Sequence, residues 1–178
     1  MRIVRLSLVL SLAVATVFSN VTAWGQQKFA ATAPVPPALY TAKKVFISNA
    51  GADSGLFWHP FSGERDRAYN EFYNDVQKLG RFDLVSSPEQ ADLVFELRLT
   101  TPYGPPITGE QKGLDYPLPM FRLVIYDRQS HYVLWALTES IQWAVMQKTH
   151  DRNFDTALDM LVQNLNTLTT PPSAAAAH

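Results

Sequence analysis

Residues 92–100, DLVFELRLT, alternate without a break. Leu93, Phe95, Leu97 and Leu99 face one way, while Val94, Glu96, Arg98 and Thr100 face the other. Strict period-two alternation describes a strand buried on one face only. Any fold for this chain must therefore cover one side of a sheet and leave the other side more polar.

The rest of the pattern supplies that cover sparingly. Ala68, Phe72, Val76 and Leu79 recur at helical spacing, widened by Tyr69 and Tyr73, with Ser62 as an expected cap and Gly80 as the stop. Phe154, Leu158, Leu161, Leu165 and Leu168 form a second stripe, with Thr149 or Asp151 as the expected cap. Strand patterns occupy 43–50, 81–87, 92–100, 121–127 and 132–145, the last two joined across 128–131 as a hairpin. The order is β-α-β-β-β-β-α. Two single-striped helices cannot cover both faces of five strands, so the expected fold is α+β: a mixed five-stranded sheet with both helices on one face. The strands at 43–50 and 92–100 are expected to be parallel neighbours at its centre.

The N-terminus carries an address. Arg2 and Arg5 precede the apolar run Leu6 to Phe18, and Val21 and Ala23 offer a small-residue exit, with cleavage expected after Ala23 or Gly25. This is the pattern of a secretory signal peptide, and the run is shorter than the roughly 20 residues of a membrane span. The expected product is exported, to a periplasm or beyond, with no integral span after cleavage. Its organisation reads as signal 1–25, Ala/Pro-rich linker 26–40, one domain 41–170 and an unstructured tail 171–178. Without Arg2 and Arg5 the 15 basic residues fall to 13, against 16 acidic. That balance gives no basic face for nucleic acid. The absence of cysteine removes disulfides, thiolate chemistry and a lipid-anchoring cysteine, and a disulfide-free exported domain fits a bacterial envelope.

The fragments GRFDLV (80–85), ADLVFEL (91–97) and VIYDRQSHYVLW (124–135), in this element order, make residues 43–169 resemble small α/β domains of bacterial envelope proteins. Examples are the TolB N-terminal domain and CsgG-type secretion components. The resemblance implies binding or assembly in the envelope and carries no catalytic residues. The chain departs from those families in lacking a lipobox cysteine and a propeller.

Motifs for chemistry are sparse. His59, His131, His150 and His178 are scattered without metal-ligand spacing, so no metal and no cofactor is expected. Ser54 in GADSG is not a nucleophile elbow, and GADSG lacks the ending of a phosphate loop. The leading expectation is a non-catalytic module that engages an envelope protein, or itself, through the open sheet face at Arg98, Arg122, Tyr126 and Tyr132. Two loops could contribute: 51–61 through Trp58 and His59, and the proline-rich 101–119 through Tyr103 and Tyr116, which would suit a peptide or sugar. The alternative is a small hydrolase or carbohydrate-active enzyme using Asp53, His59 and Glu139. Leu56, Phe57, Trp58 and Phe61 are expected to close one end of the core.

Overall fold

The alternating segment forms a central strand. In the computed structural model, which describes residues 33–54, 56, 61–101 and 119–172, the strands are β1 (Lys44–Ala52), β2 (Asp83–Leu84), β3 (Leu93–Thr100), β4 (Met120–Asp127) and β5 (Val133–Ser140). They form one mixed sheet in the order β2-β1-β3-β4-β5. β1 runs parallel to both β2 and β3, and β3, β4 and β5 are successively antiparallel. The α+β class, the parallel central pair and the lateral hairpin are as the sequence pattern requires.

Helices α1 (Ala38–Thr41), α2 (Arg67–Lys78) and α3 (Gln147–Thr169) accompany the sheet. Buried Ala68, Phe72 and Val76 of α2 join Phe154, Leu158, Leu161 and Leu165 of α3 over Val45, Ile47, Phe95, Leu97, Phe121, Leu123 and Ile125. Phe121 and Phe154 meet edge to face at 5.0 Å, and Phe82 and Phe95 at 5.4 Å. Leu56 and Phe61 are buried in the same cluster, so the described part of the 51–61 loop does close one end of the core. Phe57, Trp58, His59 and Pro60 lie outside the described residues.

Several boundaries move, each for a local reason. The expected linker to residue 40 contains α1, whose Leu39 is fully buried. Pro36 and Pro37 do not exclude this turn, because proline suits the start of a helix, where its missing N–H is not needed. α2 begins at Arg67 and not beside Ser62: Gly63 takes a positive φ of 97° and breaks the path. Gly80, at φ 62°, supplies the left-handed residue that ends α2. β2 shrinks to two residues, and β5 stops at Ser140, leaving 141–146 as a connection.

α3 starts earlier than either expected cap, with Met146 at its N-cap position and no side-chain capping bond. Asp151 is occupied elsewhere. Its carboxylate accepts from the Ser62 N–H at 3.0 Å and from the Arg67 guanidinium at 3.1 Å. Arg67 also pairs with Glu71 and Asp155, and its guanidinium lies 4.3 Å from the Phe154 ring centre. This mostly buried arginine ties the loop before α2 to α3. At the opposite end, Arg81 donates to the carbonyls of Tyr40 and Thr169, joining α1 to the end of α3.

Candidate interaction face

The second face of the sheet is built by the register. Val94 lies opposite Tyr126, Glu96 opposite Val124, Arg98 opposite Arg122, and Thr100 opposite Met120. β5 adds Thr138 beside Arg122 and Ala136 beside Val124, and β1 adds Phe46 beside Val94 and Ser48 beside Glu96. α2 and α3 both pack on the other side, so no helix among the described elements covers this surface. Its centre is apolar, with Val124 only 5% exposed. Its rim is charged.

The two opposed arginines are the unusual feature. Like charges directly across a sheet repel. Arg98 is compensated by Asp53 at 2.8 Å. Asp53 also accepts from the Thr100 hydroxyl at 2.6 Å and the Thr101 N–H at 2.9 Å. The hydrogen bonds from Thr100, Arg98 and Thr101 together lower its pKa to about 2. The chain reaches this position through an irregularity in β1 between Asn49 and Ala52. Gly51 adopts φ 78° there, and its N–H donates to the Asn49 side chain at 2.9 Å. Arg122 has no ion-pair partner among the described residues. Tyr126 donates its hydroxyl to Glu96 at 3.4 Å, and desolvation followed by the Glu96 charge raises its pKa.

A bulge in β5 changes which residues reach this face. Ile125 pairs with Trp135 but Tyr126 pairs with Val133, leaving Leu134 as the extra residue. Plain alternation puts Val133 on the core side and Leu134 on the open side; the bulge reverses both. Val133 is 55% exposed beside Tyr126, while Leu134 packs against the core. Tyr132 is 75% exposed at the hairpin turn, where Asp127 accepts from the Ser130 N–H and hydroxyl and His131 takes a φ of 60°. Arg98, Arg122 and Tyr126 thus share the face, with Tyr132 at its margin. Trp58, His59, Tyr103 and Tyr116 lie outside the described residues.

Of the residues of the enzymatic alternative, His59 lies outside the described residues and the two carboxylates do not meet. Asp53 is bound to the open-face residues Arg98 and Thr100, whereas Glu139 lies opposite the fully buried Phe121, on the helix side. The sheet itself separates the two carboxylates, and β1 and β5 stand three strand spacings apart, about 14 Å. Glu139 is half-buried, accepts from the Asn164 amide at 3.3 Å, and has its pKa raised by desolvation. Among the described residues no group of three His, Asp or Glu side chains could hold a metal ion. His150 is buried, edge-on to both Phe61 and Trp143. A groove of about 290 Å³ between α2 and α3 is lined by Arg67, Glu71, Asp75, Lys78 and Asp155. Most of its charges are paired with one another, Lys78 with Asp75 and Arg67 with Glu71 and Asp155, while Asp159, also in the lining, has no ion pair among the described residues.

No family model and no curated protein matches the chain. Solved structures do. A DUF4136 family protein from Bacteroides thetaiotaomicron is 11% identical, with 75% of this chain and 91% of that chain covered, at a TM-score of 0.50. A PelC dodecamer from Paraburkholderia phytofirmans is 15% identical over 78% of this chain and 96% of that one, at 0.45. A DUF330 protein from Xanthomonas campestris is 10% identical over 72% and 83%, at 0.43. The likeness to the DUF4136 protein shows a shared fold. TolB and CsgG, the specific resemblances expected from the sequence, are not among these structures.

Proposed function

We propose that the chain is an exported, non-catalytic envelope module that binds a protein partner, or a second copy of itself, through the open face of its sheet. The observation that carries this reading is the apolar centre of Val94, Val124 and Tyr126 beside the opposed Arg98 and Arg122, on a face that no helix of the described residues covers. Arginine and tyrosine around an apolar centre form the composition that interfaces favour. A plain solvent face has no use for two like charges in register. Export rests on the charged start, the apolar run 6–18 and the small-residue exit, and the absence of cysteine fits a bacterial periplasm. The domain in this reading begins near Val35, since Leu39 belongs to the core.

The test is cross-linking in envelope extract with wild-type protein and with Arg122→Glu/Tyr126→Ala. Arg122 is preferable to Arg98, whose replacement also releases Asp53. A cross-linked partner present with wild type, lost with the double variant and retained by a Gln163→Lys control at an exposed position of α3 supports the reading. Retention of the same partner by the folded double variant refutes the use of this face.

A further inference from the structure

Among the described residues, three large exposed apolar side chains fall within four positions, at neither the open face nor the groove. Trp143 is 57% exposed, Val145 85% and Met146 67%, all in the connection between β5 and α3. This connection is braced. Ile141 and Ala144 are buried, the Ile141 N–H donates to the Pro119 carbonyl at 2.7 Å, and Asn153 donates to the Gln142 carbonyl at 2.9 Å. Trp143 rests edge-on against His150 at 5.7 Å. Fixed contacts hold the backbone while three apolar side chains project.

The start of α3 breaks local rules at the same place. Its N-cap is a methionine with no capping bond, and its first turn contains no acidic residue. Lys148 and Arg152 are exposed, four residues apart, and neither has an ion-pair partner among the described residues. Cations near a helix N-terminus and like charges at this spacing both disfavour a helix. The nearby Asp151 and Asp155 are turned to Arg67. Fold stability therefore explains neither the apolar side chains nor the charges beside them, and local conflicts of this kind mark functional positions.

We infer that Trp143, Val145 and Met146, with Lys148 and Arg152, form a docking surface for an anionic lipid bilayer. Three side chains are far fewer than the 20 or so residues per partner of a stable protein interface. A bilayer requires no matching surface: the apolar side chains enter the acyl boundary, tryptophan suits the headgroup level, and the two cations meet lipid phosphates. The inference does not depend on the sheet-face reading.

Protein recovered after export is mixed with phosphatidylglycerol/phosphatidylcholine vesicles, or with phosphatidylcholine alone, and sedimented. Wild type is expected to sediment with the anionic vesicles at low salt and to be released by 0.5 M NaCl, roughly the range in which salt screens such contacts. Val145→Asp/Met146→Asp is expected to lower the bound fraction about tenfold, by removing apolar insertion. Lys148→Glu/Arg152→Glu should abolish the preference for anionic vesicles. Met146→Asp supplies the missing cap and the glutamates suit the helix dipole, so neither variant is expected to have a lower Tm. Loss of vesicle binding with Tm kept supports the inference, especially if Arg122→Glu/Tyr126→Ala still binds. Absence of wild-type sedimentation overturns it. So does equal binding by the variants, or loss of a cross-linked protein from the Val145/Met146 variant without any vesicle binding.

Discussion

The two faces of β3 and β4 come from the same residues taken alternately, yet they are built on different terms. On the helix side Phe95, Leu97, Leu99, Phe121, Leu123 and Ile125 are all essentially inaccessible, and their requirement is volume and apolarity. On the open side the larger polar groups Arg98 and Tyr126 are matched to specific neighbours, Asp53 and Glu96. Arg122 is the exception. The covered face expresses the fold, and the open face expresses choices that the fold does not need. Substitutions one residue apart should therefore behave very differently.

The largest effect is expected from Phe121→Ala. Phe121 is fully buried, and from β4 it packs on Phe154 of α3. Removing a buried phenylalanine costs about 3–5 kcal/mol, so denaturant unfolding should show a lower midpoint or no folded baseline. Arg122→Ala, the next residue, should shift stability by no more than about 0.5 kcal/mol. Equal losses at the two positions would mean that the open face is part of the core.

The covered face was legible in the sequence because a single physical rule governs it. Alternation in 92–100 and the helical stripes specify which side chains must meet, and burial enforces the register. The open face was legible only in part. Arg98, Arg122 and Tyr126 follow from counting along strands. The Arg98–Asp53 contact does not, because it depends on one extra residue in β1, where Ala50 and Gly51 together stand against the single Arg98. The reversal at Val133 and Leu134 escaped for the same reason: a bulge inserts one residue and flips the pattern without a distinctive residue type. The Asp151 cap failed through competition, since a mostly buried arginine 84 positions away holds that carboxylate. The exposed Trp143–Met146 connection read as the end of a strand because its composition is that of a strand; only its termination at Ser140 exposes it.

A smaller effect separates the charges on the open face from plain surface ion pairs. Asp53 titrates near 2 in the folded protein against 3.8 for an ordinary aspartate. A lowered folded pKa gives stability that is present above the unfolded value and is lost as pH falls through the folded one. The relevant window is therefore pH 4 to 2. Solvent reaches both Arg98 and Asp53, so about 1 kcal/mol is expected, well below the unscreened figure. Asp53→Asn should lower stability at pH 7 by that amount and flatten the pH dependence of urea unfolding between 4 and 2. An unchanged acid slope would show that Asp53 is merely another solvated carboxylate.

Glu139 tests the covered face where it is least like a core. It sits on the helix side of the edge strand β5, facing Asn164, and an inward carboxylate on an edge strand discourages pairing with another chain. Burial raises its pKa above the ordinary 4.5, so the folded state binds its proton more tightly than the unfolded state does. The associated stability is fully present below 4.5 and is lost as pH rises through the folded value, opposite in sign to Asp53. Glu139→Gln keeps the carbonyl acceptor for Asn164 and removes the charge. It should stabilise the protein at pH 7 by at most about 0.5 kcal/mol, since the group is only partly desolvated, and the gain should vanish below pH 4. The same variant should also self-associate more readily in light scattering at high concentration, because the edge has lost its charge. A Glu139→Gln protein that is less stable than wild type at pH 7 would instead make the carboxylate a satisfied member of the covered face, and the contrast between the two faces would then stop at β4.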